Sequence, residues 1–317
     1  MVEMLNPIYD ASFKFLMSDE KVAKILISTL LKRNVTQISF ASQEFANTVA
    51  DRKTNSDYTI YRLDFKATIT DEEVDGEGNV VERREETVLI ELQKVWLQTE
   101  LLRFRKYIAG QYADPANVQS DGKTPRHIIA IYLLGHKLPL MEAPIAYGYG
   151  NNLVDYGGKP IEMSGKSKFV DSLTHDIIIV QIPRLPEKPG NAAERLLDIF
   201  DQRFSLSSDR RVISLPEDLA HDSEDKKVLV AKLREGLLDP EMRQQLSVEE
   251  EILWELDSRD MRAEFYKKKA EENKKKADEA NESLRKAAKS LKAAGQSDEE
   301  IAGLLSVDVA RVKEWTD

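Results

Sequence analysis

Apolar side chains in the first third of the chain follow two different periods. Along Asp10–Leu30 they recur at steps of three and four residues, which predicts amphipathic helices. We expect two of them, because Asp19 is placed to cap the second. Along Tyr61–Ile69 and Glu86–Lys94 every second residue is apolar, which predicts two half-buried strands. The polar stretch Asp71–Asn79 would be the loop that joins them into a long hairpin.

Helices and strands then alternate, which decides the fold class. We predict a helix at Leu97–Tyr112, strands at Ile128–Leu134 and Asp176–Ile182 with a loop at Tyr147–Gly158 between them, and helices at Ala192–Phe204 and Asp225–Leu237. This order around one sheet predicts an α/β or α+β domain over residues 1–245.

The character of the chain changes after this domain. Ser247 and Glu250 have the spacing of a capping box, and Gly and Pro then disappear for many turns, so we predict one long charged helix over residues 246–293. Small and apolar residues keep a heptad spacing from Ile252 to Leu291. A solvated helix or helical hairpin fits this pattern, and so does a self-associating coiled coil that makes a homodimer.

The last segment, residues 294–317, predicts two short helices. Ser297 and Glu300 form a second capping box, and Ser306 is placed to cap the helix that follows. This is the outline of a helix-turn-helix. Because the second helix offers few basic side chains, a small interaction module fits it better than a module that reads DNA.

Composition and charge exclude several classes of protein. Cys is absent, which removes disulfides, thiolate catalysis and Cys-based zinc sites, and the four His residues are not paired at metal-ligand spacing. No apolar run is long enough to span a membrane and no signal peptide is visible, so we expect a cytoplasmic protein without membrane contact. The net charge of −10 argues against a generic nucleic-acid binder. Gly148–Asn152 matches no nucleotide-binding fingerprint, so we expect no nucleotide cofactor.

Carboxylates on the hairpin are the candidate chemistry. Asp64 and Lys66 lie on the polar face of the first strand, and Glu91 and Gln93 leave the second strand on one face. A charged Glu91 in so apolar a strand is costly unless it has a partner or a ligand. Two carboxylates that converge across neighbouring strands can hold Mg²⁺ or Mn²⁺ together with water and a phosphate. Ordinary salt bridges on a surface strand fit the same spacing.

Two helices offer further polar side chains. Arg103, Tyr107 and Gln111 step by four along the helix after the hairpin and form one stripe. The stripe either lines a cleft or is the wet face of a packed helix. Asp10 and Lys14 are also four residues apart, which fits a surface ion pair as well as a place in a site.

Taken in order, these motifs resemble the PD-(D/E)XK nuclease superfamily and, within it, the transposase-associated, recombination-promoting nuclease group. The residues that carry the resemblance are Asn6-Pro-Ile-Tyr-Asp-Ala-Ser-Phe-Lys-Phe-Leu, Leu63-Asp64, Ile90-Glu-Leu-Gln93 and Arg103-Phe-Arg-Lys-Tyr107-Ile-Ala-Gly-Gln111-Tyr112. The resemblance covers about the first 135 residues well, the middle loosely, and the helical tail with its two short helices in outline. It implies a restriction-endonuclease-like mixed β-sheet flanked by helices, followed by the long charged helical extension.

The resemblance also implies roles for the hairpin residues. Asp64 and Glu91 would hold the metal ion. Gln93 would occupy the position where the superfamily usually has a Lys that orients or activates the attacking water. Because an amide carries no positive charge, Lys66 is the candidate for the missing cation.

The helices would contribute the remaining site residues. Arg103 would reach a phosphate, and Tyr107 or Gln111 would hold a carboxylate. Asp10 and Lys14 would be the contribution of the first helix.

The function implied is a metal-dependent DNA endonuclease, linked to recombination or mobile elements. The alternative is a catalytically degenerate nuclease-like scaffold that acts through protein–protein contacts of its helical tail. The negative net charge and the Gln in the Lys position favour the scaffold. A DNA-binding regulator that acts through the tail is a third hypothesis.

Overall fold

A computed structural model describes most of the chain, which divides into two compact units. The described residues are 1–40, 44–47, 59–62, 64–74, 80–94, 98–150, 152–161 and 168–316. The first unit is Met1–Glu250 and the second is Glu251–Asp317. Each unit has buried apolar side chains of its own.

The centre of the first unit is a six-stranded mixed β-sheet. The strands of the described residues are β1 (Val2–Leu5), β2 (Gln37–Phe40), β3 (Glu44–Asn47), β4 (Thr59–Arg62), β5 (Phe65–Val74), β6 (Val80–Gln93), β7 (His127–Leu134), β8 (Ile145–Gly148), β9 (His175–Gln181) and β10 (Val212–Leu215). The large sheet has the order β2-β5-β6-β7-β9-β8, in which β6, β7 and β9 are parallel and the other pairs are antiparallel. β1 pairs with β10 and β3 with β4 in two small antiparallel sheets.

Helices flank this sheet and form the C-terminal part of the chain. They are α1 (Asp10–Met17), α2 (Glu20–Leu31), α3 (Gln98–Ala113), α4 (Lys168–Leu173), α5 (Ala192–Leu197), α6 (Glu217–Ala220), α7 (Glu224–Leu238), α8 (Pro240–Ala293), α9 (Asp298–Leu305) and α10 (Val309–Thr316). Single 3₁₀ turns lie at Ile182–Arg184, Asp198–Phe200 and Gln202–Phe204. The predicted mixed α/β class with a helical C-terminal extension is confirmed at this level.

Strand register decides which side chains of the sheet share a face. α3 covers one face, where Phe104 packs against Leu89 of β6. Glu91 and Gln93 alternate in step with Leu89 and share this face, as the sequence predicts. Lys66 is the cross-strand partner of Leu89 and also belongs to it. The α3 face therefore carries most of the polar side chains that the hairpin motif contributes.

The predicted hairpin and the first helices are present. β5 and β6 pair as an antiparallel hairpin. Asp19 caps α2 as predicted, because its side chain accepts a hydrogen bond of 3.1 Å from the Val22 N–H.

Two predicted boundaries in the hairpin are wrong. The loop expected at Asp71–Asn79 begins later, because β5 continues through Val74; residues 75–79 lie outside the described residues. Cross-strand pairing of the acidic Asp71 and Glu72 with arginines of β6 extends the hairpin. The strand expected at Tyr61–Ile69 is divided between β4 and β5, with Asp64 in a bend before β5. Residue 63, part of the Leu-Asp motif, is not among the described residues.

The loop predicted at Tyr147–Gly158 starts too early, because its first two residues, Tyr147 and Gly148, belong to β8. Tyr147 and Gly148 are paired with Ile178 and Ile177 of β9. The glycine spacing hid this edge strand, because a Gly in a strand weakens the alternating pattern without preventing backbone pairing.

α8 begins earlier than predicted. Its first residue is Pro240, which suits the first position of a helix because that position needs no N–H donor. Ser247 lies inside the helix, where its hydroxyl donates a hydrogen bond of 3.0 Å to the Arg243 carbonyl. The capping box predicted at Ser247 is therefore wrong, and Glu249 and Glu250 lie in the third turn of α8.

The second unit contains the rest of α8 with α9 and α10. Among the described side chains of this unit, the buried ones are Ala288, Ile301, Ala302, Val312 and Trp315. Ser297 and Glu300 form the predicted capping box. Ser306 instead ends α9 in a left-handed conformation with φ of 53°, and α10 begins only at Val309, so the cap predicted at Ser306 is wrong.

Candidate active site

Asp64 is held at the start of β5 by the neighbouring strand. Its Oδ2 accepts a hydrogen bond of 2.7 Å from the Leu92 N–H of β6. The residue is only 8% exposed. Because a carboxylate can accept about four hydrogen bonds, this backbone donor leaves capacity for a further ligand.

Asp10, the first residue of α1, brings a second carboxyl group against Asp64. The negative charge of Asp10 acts on the Asp64 carboxyl group and disfavours its ionised form. Lys14 Nζ lies 2.7 Å from Asp10 Oδ2. The other oxygen, Asp10 Oδ1, is buried, and no N–H or hydroxyl group of the described residues donates to it. We call Asp10 and Asp64 the acidic pair.

The surroundings of the acidic pair raise the pKa of Asp64 to about 7. Burial is the largest cause, and the charge of Asp10 adds to it. The Leu92 N–H and the Lys14 ammonium act in the opposite direction without cancelling the effect. Two carboxyl groups held in this way are stabilised by a proton or by a cation, so the donor set fits a divalent ion.

Glu91 is buried in β6 and pairs with α3. Arg103 Nη2 lies 3.3 Å from Glu91 Oε2. Burial raises the pKa of Tyr132, on the neighbouring strand β7, to about 12, and the charge of Glu91 adds to the shift. Asp64 contacts β6 one residue further on, at Leu92. That Asp64 and Glu91 converge on one ion stays a prediction.

The two residues predicted to place the water have different surroundings. Gln93 is buried, and its Nε2 has no hydrogen-bond partner within the described residues. It lines, with Phe104 and Tyr132, a mostly apolar groove of about 970 Å³ beside α3. Lys66 Nζ lies 3.8 Å from Asp114 Oδ2, just beyond the end of α3. Burial lowers the pKa of Lys66, although the charge of Asp114 acts against this.

The polar stripe of α3 faces the sheet. Tyr107 and Gln111 are buried and Arg103 is half-buried, whereas Leu101 and Leu102 are exposed. The wet-face interpretation is therefore wrong. Neither amide atom of the Gln111 side chain has a hydrogen-bond partner in the part of the chain that the structure describes. Buried amides in this state are rare, which favours the interpretation in which the stripe lines a cleft.

Sequence analysis missed two glutamates of α8. Glu249 and Glu250 contact Tyr9 and Asp10 at the start of α1 and Lys94 at the end of β6. Asp10 and Glu249 are 239 residues apart, so no local spacing connects them. The spacing of Ser247 and Glu250 predicts a capping box instead of this contact.

A second charged cluster lies on the face of the sheet opposite Glu91. Glu86 of β6 is the strand partner of His127 of β7. Arg33 pairs with Glu86 and, at 2.8 Å, with Asp71. His127 Nε2 lies 3.2 Å from Asp176 Oδ2. We call these five residues the ion-pair cluster, because each charge in it faces an opposite one.

The shifts of pKa in the ion-pair cluster favour the charged forms. Burial acts to lower the pKa of His127, but hydrogen bonds to Asp176 and to the Asp171 carbonyl outweigh it and raise the pKa. Burial likewise acts to raise the pKa of Asp176, but His127 and the Gly150 N–H lower it. This is the behaviour of a structural ion pair.

The two-carboxylate site is small compared with most metal sites. Within the described ranges, no group of three or more His, Asp or Glu side chains lies close enough together to hold a metal ion. Mg²⁺ is nevertheless held by one or two carboxylates with waters and substrate phosphate, a requirement that the acidic pair meets. Comparison of the chain with protein-family models, with curated proteins and with solved structures finds no match. Of the helices in the described residues, none has the length and apolar character needed to cross a membrane.

Proposed function

We propose that the protein is a metal-dependent DNA endonuclease that hydrolyses phosphodiester bonds on a restriction-endonuclease-like scaffold. The observation that supports this proposal best is the acidic pair, in which burial, with the charge of Asp10 added to it, raises the pKa of Asp64 to about 7. A strongly shifted pKa of a buried group beside another charged group is typical of functional sites. The motif order that resembles the recombination-promoting nucleases supports DNA as the substrate.

In this proposal the acidic pair binds the metal ion, and Glu91 orients Arg103 beside it. Asp10 and Asp64 would hold Mg²⁺ or Mn²⁺ through their carboxylate oxygens. The ion, when bound, supplies a water of lowered pKa and stabilises the negative charge that grows on the phosphodiester. Glu91, paired with Arg103, would orient that side chain toward the substrate.

The remaining polar side chains would hold the water and the substrate. Gln93 would position the attacking water through its buried amide. Lys14 and Arg103 are half-buried cations that can contact phosphate oxygens. Tyr107 and Gln111 would support the cleft from α3.

The setting of the reaction belongs to the same proposal. We infer a cytoplasmic enzyme that acts on recombining or mobile DNA. α8 would join two copies as a coiled coil, an inference supported by Ile252, the first residue of the heptad frame, which is 54% exposed.

Plasmid nicking in the presence of Mg²⁺ tests the proposed activity. Asp64→Asn keeps an acceptor for the Leu92 N–H but loses the charge, so we expect the nicking rate to fall by at least about 100-fold. Asp71→Asn, in the ion-pair cluster, is the matched control and should nick at the parental rate. If Asp64→Asn nicks as fast as the parent chain, the site assignment is wrong.

A non-catalytic scaffold is the second candidate function. Gln93 in the Lys position favours it, because a neutral amide supplies no positive charge to the transition state. Lys66, the candidate for that charge, lies with its Nζ 3.8 Å from Asp114 Oδ2. Calorimetric titration with Mn²⁺ distinguishes the two candidates. Binding that Asp64→Asn abolishes supports the enzyme, and no binding at millimolar Mn²⁺ supports the scaffold.

A further inference from the structure

The third turn of α8 contacts the helix that carries Asp10. Glu249 Oε1 accepts a hydrogen bond of 2.7 Å from the Asp10 N–H, and Glu249 Oε2 accepts one of 3.1 Å from the Ala11 N–H. Glu250 accepts a hydrogen bond from the Tyr9 hydroxyl. Two successive residues of α8 thus hold three successive residues at the start of α1.

α1 has no side-chain cap of its own. Its N-cap residue, Tyr9, makes no capping hydrogen bond, whereas α2 is capped by Asp19. The first turn of any helix contains N–H groups that lack an intrahelical acceptor. Glu249 supplies from a distant helix the acceptor that a Ser or Asp usually supplies at the N-cap. Its negative charge also suits the positive end of the helix dipole.

The same turn of α8 contacts the end of β6. Lys94, which follows Gln93, lies with its Nζ 3.5 Å from Glu250 Oε2 and 3.5 Å from the centre of the Tyr9 ring. α1 and β6 therefore share one set of polar contacts. Movement of Tyr9, the residue before α1, away from the end of β6 would disturb them.

We propose that Glu249 is a positioning residue: it fixes the first turn of α1 and so holds the Asp10 carboxyl group against Asp64, where the cation binds. Repulsion between the two carboxyl groups favours their separation, and the two hydrogen bonds to Glu249 oppose it. Loss of these bonds lets the first turn of α1 fray, which separates the pair and weakens cation binding. The inference rests on the proposed function, because it assigns a cation to the acidic pair.

Three variants of the full chain test this role. Glu249→Ala removes both acceptors, and Glu249→Gln keeps one amide oxygen that can still accept a hydrogen bond. Glu251→Gln is the matched control, because Glu251 is an exposed glutamate of the same helix. Hydrogen–deuterium exchange at the start of α1, without metal, measures the positioning. Calorimetric titration with Mn²⁺ measures its consequence for the site.

We expect Glu249→Ala to speed exchange at the start of α1 and to weaken Mn²⁺ binding, each by about 10-fold. Glu249→Gln should give intermediate values, and it carries the test alone if the Ala variant does not fold. Glu251→Gln should match the parent chain in both measurements.

Two outcomes would overturn the inference. Unchanged exchange at the start of α1 in the Glu249 variants overturns it whether or not the protein cuts DNA. Faster exchange with parental Mn²⁺ affinity also overturns it, because Glu249 would then only stabilise the helix. A parent chain that binds no Mn²⁺ is a different result: it contradicts the proposed function itself, and the inference with it.

Discussion

In two regions around one β-sheet, the pKa values of buried charged groups shift in opposite directions. In the ion-pair cluster, the pKa values of His127 and Asp176 shift toward their charged forms, because each group faces an opposite charge. In the acidic pair, burial and the like charge of Asp10 shift the pKa of Asp64 toward its neutral form. In the ion-pair cluster the opposite charges neutralise one another, whereas the acidic pair needs a proton or a cation to neutralise its charge. Of the two regions, the one with like charges is therefore the better candidate for a cation site.

The largest expected difference in the free energy of unfolding comes from neutralising one carboxylate in each region. Asp176→Asn leaves His127 without its negative partner and should lower the free energy of unfolding at pH 7 by about 3 kcal/mol. Asp64→Asn removes repulsion and should leave this free energy unchanged or raise it. Denaturant unfolding of both variants measures the difference. Equal losses would mean that the acidic pair is an ordinary structural contact.

The pH dependence of stability sharpens the comparison. The pKa of Asp64 is raised in the folded chain, so its stabilising contribution is complete below its ordinary value of 3.8 and is lost as the pH rises through about 7. The pKa of Asp176 is lowered in the folded chain, so the opposite holds: its contribution to stability is lost as the pH falls through that lowered pKa.

Between pH 5 and pH 8, the parent chain should therefore lose more stability than Asp64→Asn, by on the order of 2 kcal/mol. Urea unfolding at a series of pH values measures both curves, and the contribution of His127 cancels between them. Parallel curves for the two chains would contradict a raised pKa at Asp64.

The smallest expected change in the free energy of unfolding comes from a substitution that crowds the end of β6, beside the candidate site. A Cβ atom at Gly135 would lie 2.5 Å from the Lys94 carbonyl oxygen and 2.9 Å from Ile8 Cδ1. Gly135→Ala should therefore lower the free energy of unfolding by about 1.5 kcal/mol. A Cβ atom at Gly110 in α3 would have no neighbour within 4 Å. Because Ala favours the helix more than Gly does, the control Gly110→Ala should raise the free energy of unfolding by about 0.5 kcal/mol. The opposite order in denaturant unfolding would mean that the end of β6 is loosely packed.

The sequence predicts local elements of this fold well. The hairpin follows from strict alternation of apolar and polar residues, and α2 follows from Asp19, because both depend on neighbours along the chain. Edge strands such as β8 are short and contain glycine, so their pairing depends on β9 and leaves little pattern in the sequence.

The candidate site is only partly predictable. Alternation predicts that Lys66 shares a face of its strand with Asp64, but only the structure shows that the end of its long side chain lies near Asp114, just after α3. The spacing of Asp10 and Lys14 fits an ion pair as well as a place in a site; the contact with Lys14 is present, and the charge of Asp10 also acts on Asp64. Glu249 could not be found, because only tertiary folding brings it to α1.

Anomalous diffraction from crystals soaked in Mn²⁺ tests the acidic pair most directly. We expect a peak about 2 Å from carboxylate oxygens of both Asp10 and Asp64 in the parent chain, and no peak there in Asp64→Asn. A parent chain without density between these two carboxyl groups at millimolar Mn²⁺ would contradict the central claim.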